Sequence, residues 1–217
     1  MTATMPFRRL AGFAVLALLL GACEAVAQGG AQAGPQGGPK GAATAHAGCD
    51  AKQMILIQHA VAVAERRTAE AVAFIDAEPH HAHVREWFGT TPPPKIRVRL
   101  ARTLELLRPE RRPPLICGTA ETCGNRPVFA VANLTRRTVT LCPMFFQARN
   151  EGADSRPGVI VHEMTHLAAG TGDMAYGRSA ALALARKEPD RAALNADNYE
   201  YFVEFLPERR PARPGAR

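Results

Sequence analysis

The chain has 217 residues, 47% of them hydrophobic, enough for one globular domain with a core plus accessory segments. Its formal charge of +7 sits mainly at the ends, in Arg8 and Arg9 and in Arg209, Arg210, Arg213 and Arg217. The remainder is close to neutral, which gives no support to a basic groove for nucleic acid.

Arg8 and Arg9 precede the 11-residue apolar run "LAGFAVLALLL", too short for a permanent membrane helix, so residues 1–22 read as an export signal. "LGAC", ending at Cys23, has the form of a bacterial lipobox; "AVA" at 25–27 offers ordinary signal-peptidase cleavage as the alternative. The expectation is lipidation of Cys23, with the membrane touched only through that anchor. The protein is then an envelope lipoprotein, periplasmic or surface, or is freely secreted. Residues 23–48 carry almost no large apolar side chain and read as a flexible tether. With Cys23 assigned, Cys49, Cys117, Cys123 and Cys142 remain in an exported chain, and two disulfides are expected, with three pairings open.

Asp50, with Gln53 three residues on, can cap a long helix whose Ile57, Val61, Val72 and Ile75 share a stripe. His80, His81 and His83 follow beside Pro79 without ligand spacing and read as a solvated turn rather than a metal site, while Trp87 reads as core. After "TPPP", the segment "KIRVRLARTLELLR" places Ile96, Leu100, Leu104 and Leu107 at helical spacing. "RPVFAVANLTRRTVTLCPMFF" alternates around a polar break at 133–137, as a β-hairpin requires, and "NLT" at Asn133 reads as turn chemistry rather than a glycan acceptor. Asp154 or Ser155 can cap the helix "GVIVHEMTHLAA", which Gly170 stops. Two further helical stretches, "SAALALARKEP" and "RAALNADNYEYFVEFLPE", complete a domain over 49–207, and the Pro/Arg tail 208–217 has no periodicity.

The chemistry lies in "HEMTHLAAGTGDMAYG", residues 162–177. Histidines at i and i+4 of a helix lie one above the other, so His162 and His166 can face one ion. Glu163, between them, can take a proton from a water beside that ion without occupying a coordination position. A catalytic zinc needs a third protein ligand, and Gly170 and Gly172 permit the chain reversal that delivers Asp173. Tyr176 could then donate to a developing oxyanion. A bare HExxH recurs by chance; its place on an amphipathic helix, with a carboxylate after a glycine turn, is what argues for a Zn2+ site.

"HEMTH" followed by "GTGDMAYG" resembles the deuterolysin-like or aspzincin metallopeptidases. Within that group the order of Cys49 with its helix, "EWFG" (86–89), "TVTLC" (138–142) and "NADNYEYF" (195–202) is similar to the peptidyl-Lys metalloendopeptidases, over roughly residues 48–206. The resemblance implies a mainly α, zincin-like (α+β) metallopeptidase domain with one small antiparallel β-hairpin. It implies zinc held by His162, His166 and Asp173, Glu163 as general base, Tyr176 as oxyanion stabiliser, and disulfides Cys49–Cys117 and Cys123–Cys142. Asp197 and Glu200, three apart and on one helix face, would otherwise read as a solvated acidic surface; the resemblance makes them a pocket for a substrate lysine at P1′. The expected activity is hydrolysis of protein or peptide substrates by a monomer. The alternatives are a deuterolysin-like endopeptidase without lysine preference and a non-catalytic zinc-binding envelope lipoprotein. The spacer Leu167–Ala168–Ala169 is shorter than in the fungal members, which puts the question of how Asp173 reaches the metal.

Overall fold

The structure, a computed structural model, describes residues 47–208; the export signal, Cys23, nearly all of the tether and the tail from 209 lie outside the described residues. Helix α1 (Ala51–Ala77) starts at a full capping box, Gln53 N–H donating to Asp50 Oδ1 at 2.8 Å and Asp50 N–H to Gln53 Oε1 at 2.9 Å. Ile57, Val61 and Ile75 of its expected stripe are buried, with Val72 packed against them. Among the described residues no helix is long and apolar enough to cross a membrane.

The histidine-rich segment departs from the sequence expectation. His81 caps a short helix, α2 (Ala82–Phe88), and His83 is buried, its Nε2 2.9 Å from Phe202 O and its ring stacked on Phe202. Burial holds the imidazole below its ordinary pKa, so it is a neutral core residue rather than part of a solvated turn. Two aromatic residues in the same helix, Trp87 and Phe88, are fully buried as well.

Helix α3 (Pro93–Leu107) opens on a proline whose missing N–H costs nothing at a first helical position, and it buries Ile96, Leu100 and Leu107. The predicted hairpin is present as β2 (Ala130–Asn133) and β3 (Thr138–Leu141), paired antiparallel. Asn133 Oδ1 accepts from Arg136 N–H at 2.8 Å in the turn, as its turn reading requires. The sheet also gains a strand the sequence did not announce. β1 (Leu115–Cys117) pairs parallel to β3, giving the order β1-β3-β2 with β2 on an edge. The fold is therefore mainly helical with one small sheet, as expected, but that sheet is mixed. Disulfides join Cys49 to Cys117 and Cys123 to Cys142, tying the start of α1 to β1 and the loop before β2 to the end of β3.

After the short α4 (Pro143–Gln147), helix α5 (Arg156–Ala169) runs through the centre of the domain, against α1, α3, β2 and α8 (Ala196–Glu204). Ser155 is its cap, accepting from Gly158 N–H at 3.0 Å, and Gly170 ends it in the left-handed conformation, φ 65°. Between α5 and α8 lie α6 (Arg178–Lys187) and the single turn α7 (Pro189–Ala192). The last predicted helical stretch is thus broken at Asn195.

A Cβ at Gly158 would overlap the Glu204 carboxyl, and Ser155 pins that carboxyl by donating from N and Oγ to Oε1 at 2.8 and 2.7 Å. Burial, then the nearby Glu200 charge, push Glu204 up to about 9, so at neutral pH it is a protonated, packed group. Gly158→Ala is expected to destabilise the protein by about 2 kcal/mol through overpacking. The urea midpoint should fall at unchanged m-value, and an unchanged midpoint would show that Glu204 relocates freely.

Candidate metal centre

Because α5 is buried around most of its circumference, its polar side chains need partners, and they find them on one side. His162 Nε2 and His166 Nε2 lie 3.1 and 3.2 Å from the same atom, Asp173 Oδ1. Tetrahedral zinc with bonds of about 2.0–2.1 Å has ligand atoms about 3.3–3.4 Å apart, so this spacing fits such an ion. The other ring nitrogens are committed elsewhere. His166 Nδ1 faces Thr171 O at 2.9 Å, and His162 Nδ1 faces Glu200 Oε2 at 3.0 Å and Asp197 Oδ1 at 2.9 Å. Each Nδ1 is thereby placed as a donor, which leaves each Nε2 lone pair for a metal. Two nitrogens and one carboxylate oxygen suit zinc.

The short spacer does not prevent Asp173 from arriving. Gly170 reverses the chain, and Gly172 then pairs with α8's leading residue: Gly172 N–H donates to Leu194 O at 2.8 Å, and Ala196 N–H to Gly172 O at 3.0 Å. Asn195, fully buried, holds the rest of the turn. Its Oδ1 accepts from Met174 N–H (2.8 Å) and Ala175 N–H (3.1 Å), while Nδ2 donates to Ala175 O (3.0 Å) and Asn198 Oδ1 (2.8 Å). Asn198 in turn donates to Trp87 O and Ala181 O, anchoring α8 to α2 and α6. Sequence reasoning passed over both asparagines; two amides three residues apart at a helix start were the signal available.

The charges are those of a cation site. Burial disfavours an imidazolium at His162, yet Asp173, Asp197 and Glu200 overcome this and raise its pKa well above the ordinary value. His166 is raised against its own burial, chiefly by Asp173, and the two imidazoles hold the Asp173 carboxyl far below the usual range. Carboxylates gathered on two imidazoles favour positive charge at this point, and a divalent cation would be favoured for the same electrostatic reason. Glu163 differs: burial raises its carboxyl, partly offset by the two histidines.

A cavity of about 500 Å³ opens beside these residues, lined by His162, Glu163, Asp173 and Tyr176 and, from α8, by Asp197 and Glu200. Phe129 and Ala130, at the start of edge strand β2, form part of its wall. Six of the residues expected from the sequence thus line one cavity, and the seventh, His166, meets them through Asp173 Oδ1 rather than on the cavity wall, with two further differences in emphasis. Tyr176 stands at the rim, 69% exposed, and Asp197 and Glu200 are buried against His162 rather than presented on a solvated face.

An HExxH helix whose third ligand is an aspartate, delivered by a glycine turn, stands apart from the metal-site helices completed by a glutamate or a third histidine. The chain belongs to the aspzincin family, described as lysine-specific metallo-endopeptidase, whose sequence profile matches residues 74–204. It is 33% identical over 168 residues to a peptidyl-Lys metalloendopeptidase of Grifola frondosa, covering 74% of this chain and 46% of that relative. A peptidyl-Lys metalloendopeptidase of Pleurotus ostreatus is 31% identical over 165 residues, 96% of its length. An extracellular protease of Aeromonas hydrophila is 49% identical over 71 residues, 32% of this chain and 20% of that relative. The chain therefore spans about half the length of the Grifola relative and nearly all of the Pleurotus one. Among solved structures, a zinc peptidase from Grifola frondosa superposes with a TM-score of 0.62 at 30% identity, covering 72% of this chain and 96% of that one.

Proposed function

We propose that this chain is an exported zinc endopeptidase that prefers lysine at P1′, immediately after the scissile bond. The observation that carries the reading is the convergence of His162 Nε2, His166 Nε2 and Asp173 Oδ1, with both Nδ1 atoms already committed as donors. A zinc ion held there would supply a Lewis acid that polarises the scissile carbonyl and acidifies water. Glu163 lines the same cavity from the helical position between the two histidines, where its carboxylate accepts a proton from the attacking water and returns it to the leaving amine. Its burial raises the carboxyl pKa, which strengthens it as a base while leaving it able to release the proton. Tyr176, at the rim beside Asp173, donates its hydroxyl to the developing oxyanion.

Lysine preference rests on α8. Asp197 and Glu200 line the cavity, and Glu200 Oε1 is buried without a hydrogen-bond partner, so a substrate donor would satisfy it. Export rests on the leader with Arg8 and Arg9 and on the two disulfides, which suit an oxidising compartment. Anchoring through Cys23 rests on "LGAC" alone.

Digestion of a denatured protein, followed by mass spectrometry with and without a chelator, tests the reading. New N-termini enriched in lysine are expected, lost with chelator and restored by zinc. Cleavage without lysine enrichment would remove the P1′ preference, and no cleavage at any zinc level would remove the peptidase reading.

A further inference from the structure

We propose that Asp154 is a further specificity-determining residue, a third carboxylate of the lysine subsite, and that Tyr201 positions it. The proposal rests on the lysine-preferring peptidase reading and extends it to a residue outside both the HExxH helix and α8. Asp154 lines the same cavity as Asp197 and Glu200, from the loop that leads into α5. It is exposed, yet its position is specified. Tyr201, 1% exposed, donates its hydroxyl to Asp154 Oδ1 at 2.7 Å, and its ring stacks on the fully buried Trp87 with centroids 5.6 Å apart. The core thus aims a hydroxyl at one oxygen of an otherwise solvated carboxylate and leaves the second oxygen for a ligand.

The backbone adds an independent sign. Asp154 has φ 55°, in the left-handed region where glycine is the unstrained choice and asparagine serves as well as aspartate. Conformation alone therefore does not call for a negative charge at this position.

The chemistry of the incoming group explains one. A lysine ammonium carries three donors and no acceptor. Glu200, 96% buried by its 4% exposure, offers it Oε1, which has no partner. Asp197 has less to give, because Oδ1 faces His162 Nδ1 at 2.9 Å and Oδ2 accepts from Gly177 N–H at 2.6 Å. With Asp173 turned to the two histidines, Asp154 is the further carboxylate on the cavity wall that can offer a second direct acceptor. One helix, α8, then supplies two carboxylates and the hydroxyl that holds the third.

The test compares kcat/KM for two peptides identical except for lysine or norleucine at P1′, so that only the ammonium differs. Asp154→Asn accommodates the left-handed backbone and still accepts from Tyr201, removing little besides charge. The lysine-to-norleucine ratio is expected to fall about fivefold, the size of a partly exposed ion pair. Asp154→Gly, which relaxes the backbone, should lower the ratio as well, and Tyr201→Phe should shift it in the same direction by less. A purely structural role would depress both peptides together and leave the ratio alone. Unchanged ratios in both Asp154 variants, with strong lysine preference in the wild type, would overturn the Asp154 assignment while the peptidase reading stands. A wild-type ratio near one would instead overturn the lysine reading, and this proposal with it.

Discussion

Glu163→Gln is expected to lower kcat/KM for peptide hydrolysis by roughly 10³-fold, within the range general-base catalysis supplies. The substitution is nearly isosteric and the side chain is buried at the cavity, so the change is confined to the loss of a proton acceptor. Glu163 is absent from the group of atoms that converge on the metal position, His162, His166 and Asp173, and zinc content should therefore stay at the wild-type level. Burial already works against the charged form of Glu163, so an amide there should leave thermal stability level or slightly raised. The informative combination is full zinc occupancy by elemental analysis, an unshifted or higher Tm, and almost no turnover. Retained turnover would end the assignment of Glu163 as base.

Asp173→Ala is expected to weaken zinc binding by at least about 100-fold, since on the proposed reading it removes a direct ligand and not merely a partner of one. The fold should survive. The Asp173 side chain is 35% exposed, and Asn195 rather than Asp173 ties the Gly170–Gly177 turn to α8. A ligand that binds only the native state raises stability in proportion to the logarithm of its concentration over Kd. Wild-type Tm should therefore climb as zinc is added to chelator-stripped protein, whereas the Asp173→Ala protein should show little rise over the same concentrations. Its peptidase activity should be lost across that range. A variant that still takes up stoichiometric zinc with wild-type affinity would show that the metal is completed by another residue.

How much of this was legible without the tertiary structure depended on the range of the interaction. Local signals read true. Asp50 with Gln53 did start α1, Ser155 and Gly170 did bracket α5, the prolines did open α3, and Asn133 did turn the hairpin. Each involves atoms within a few residues of one another, so the sequence neighbourhood contains the whole physical argument. The HExxH spacing belongs to the same class, because helical periodicity alone puts His162 above His166. β1 was missed because three residues are too few to show alternation, and its partner strand begins more than twenty positions later. His83 looked like part of a solvated turn because it follows His80 and His81 beside Pro79; its ring in fact stacks on Phe202, 119 residues away. Glu200 and Asp197 looked like a pair for solvent or substrate, and their contact with His162 Nδ1 crosses from α8 to α5.

The amino-acid order by itself therefore determined the longer helices and the hairpin, the histidine pair, the glutamate between the histidines and the turn that carries a carboxylate. Each follows from backbone geometry over one or two helical turns. Only the tertiary structure decided that the short spacer still brings Asp173 Oδ1 to both Nε2 atoms, that Asn195 holds the turn there, and that α8 both orients His162 and lines the cavity. Those outcomes depend on how two distant helices pack, which burial of apolar surface across the whole domain dictates and no local pattern encodes.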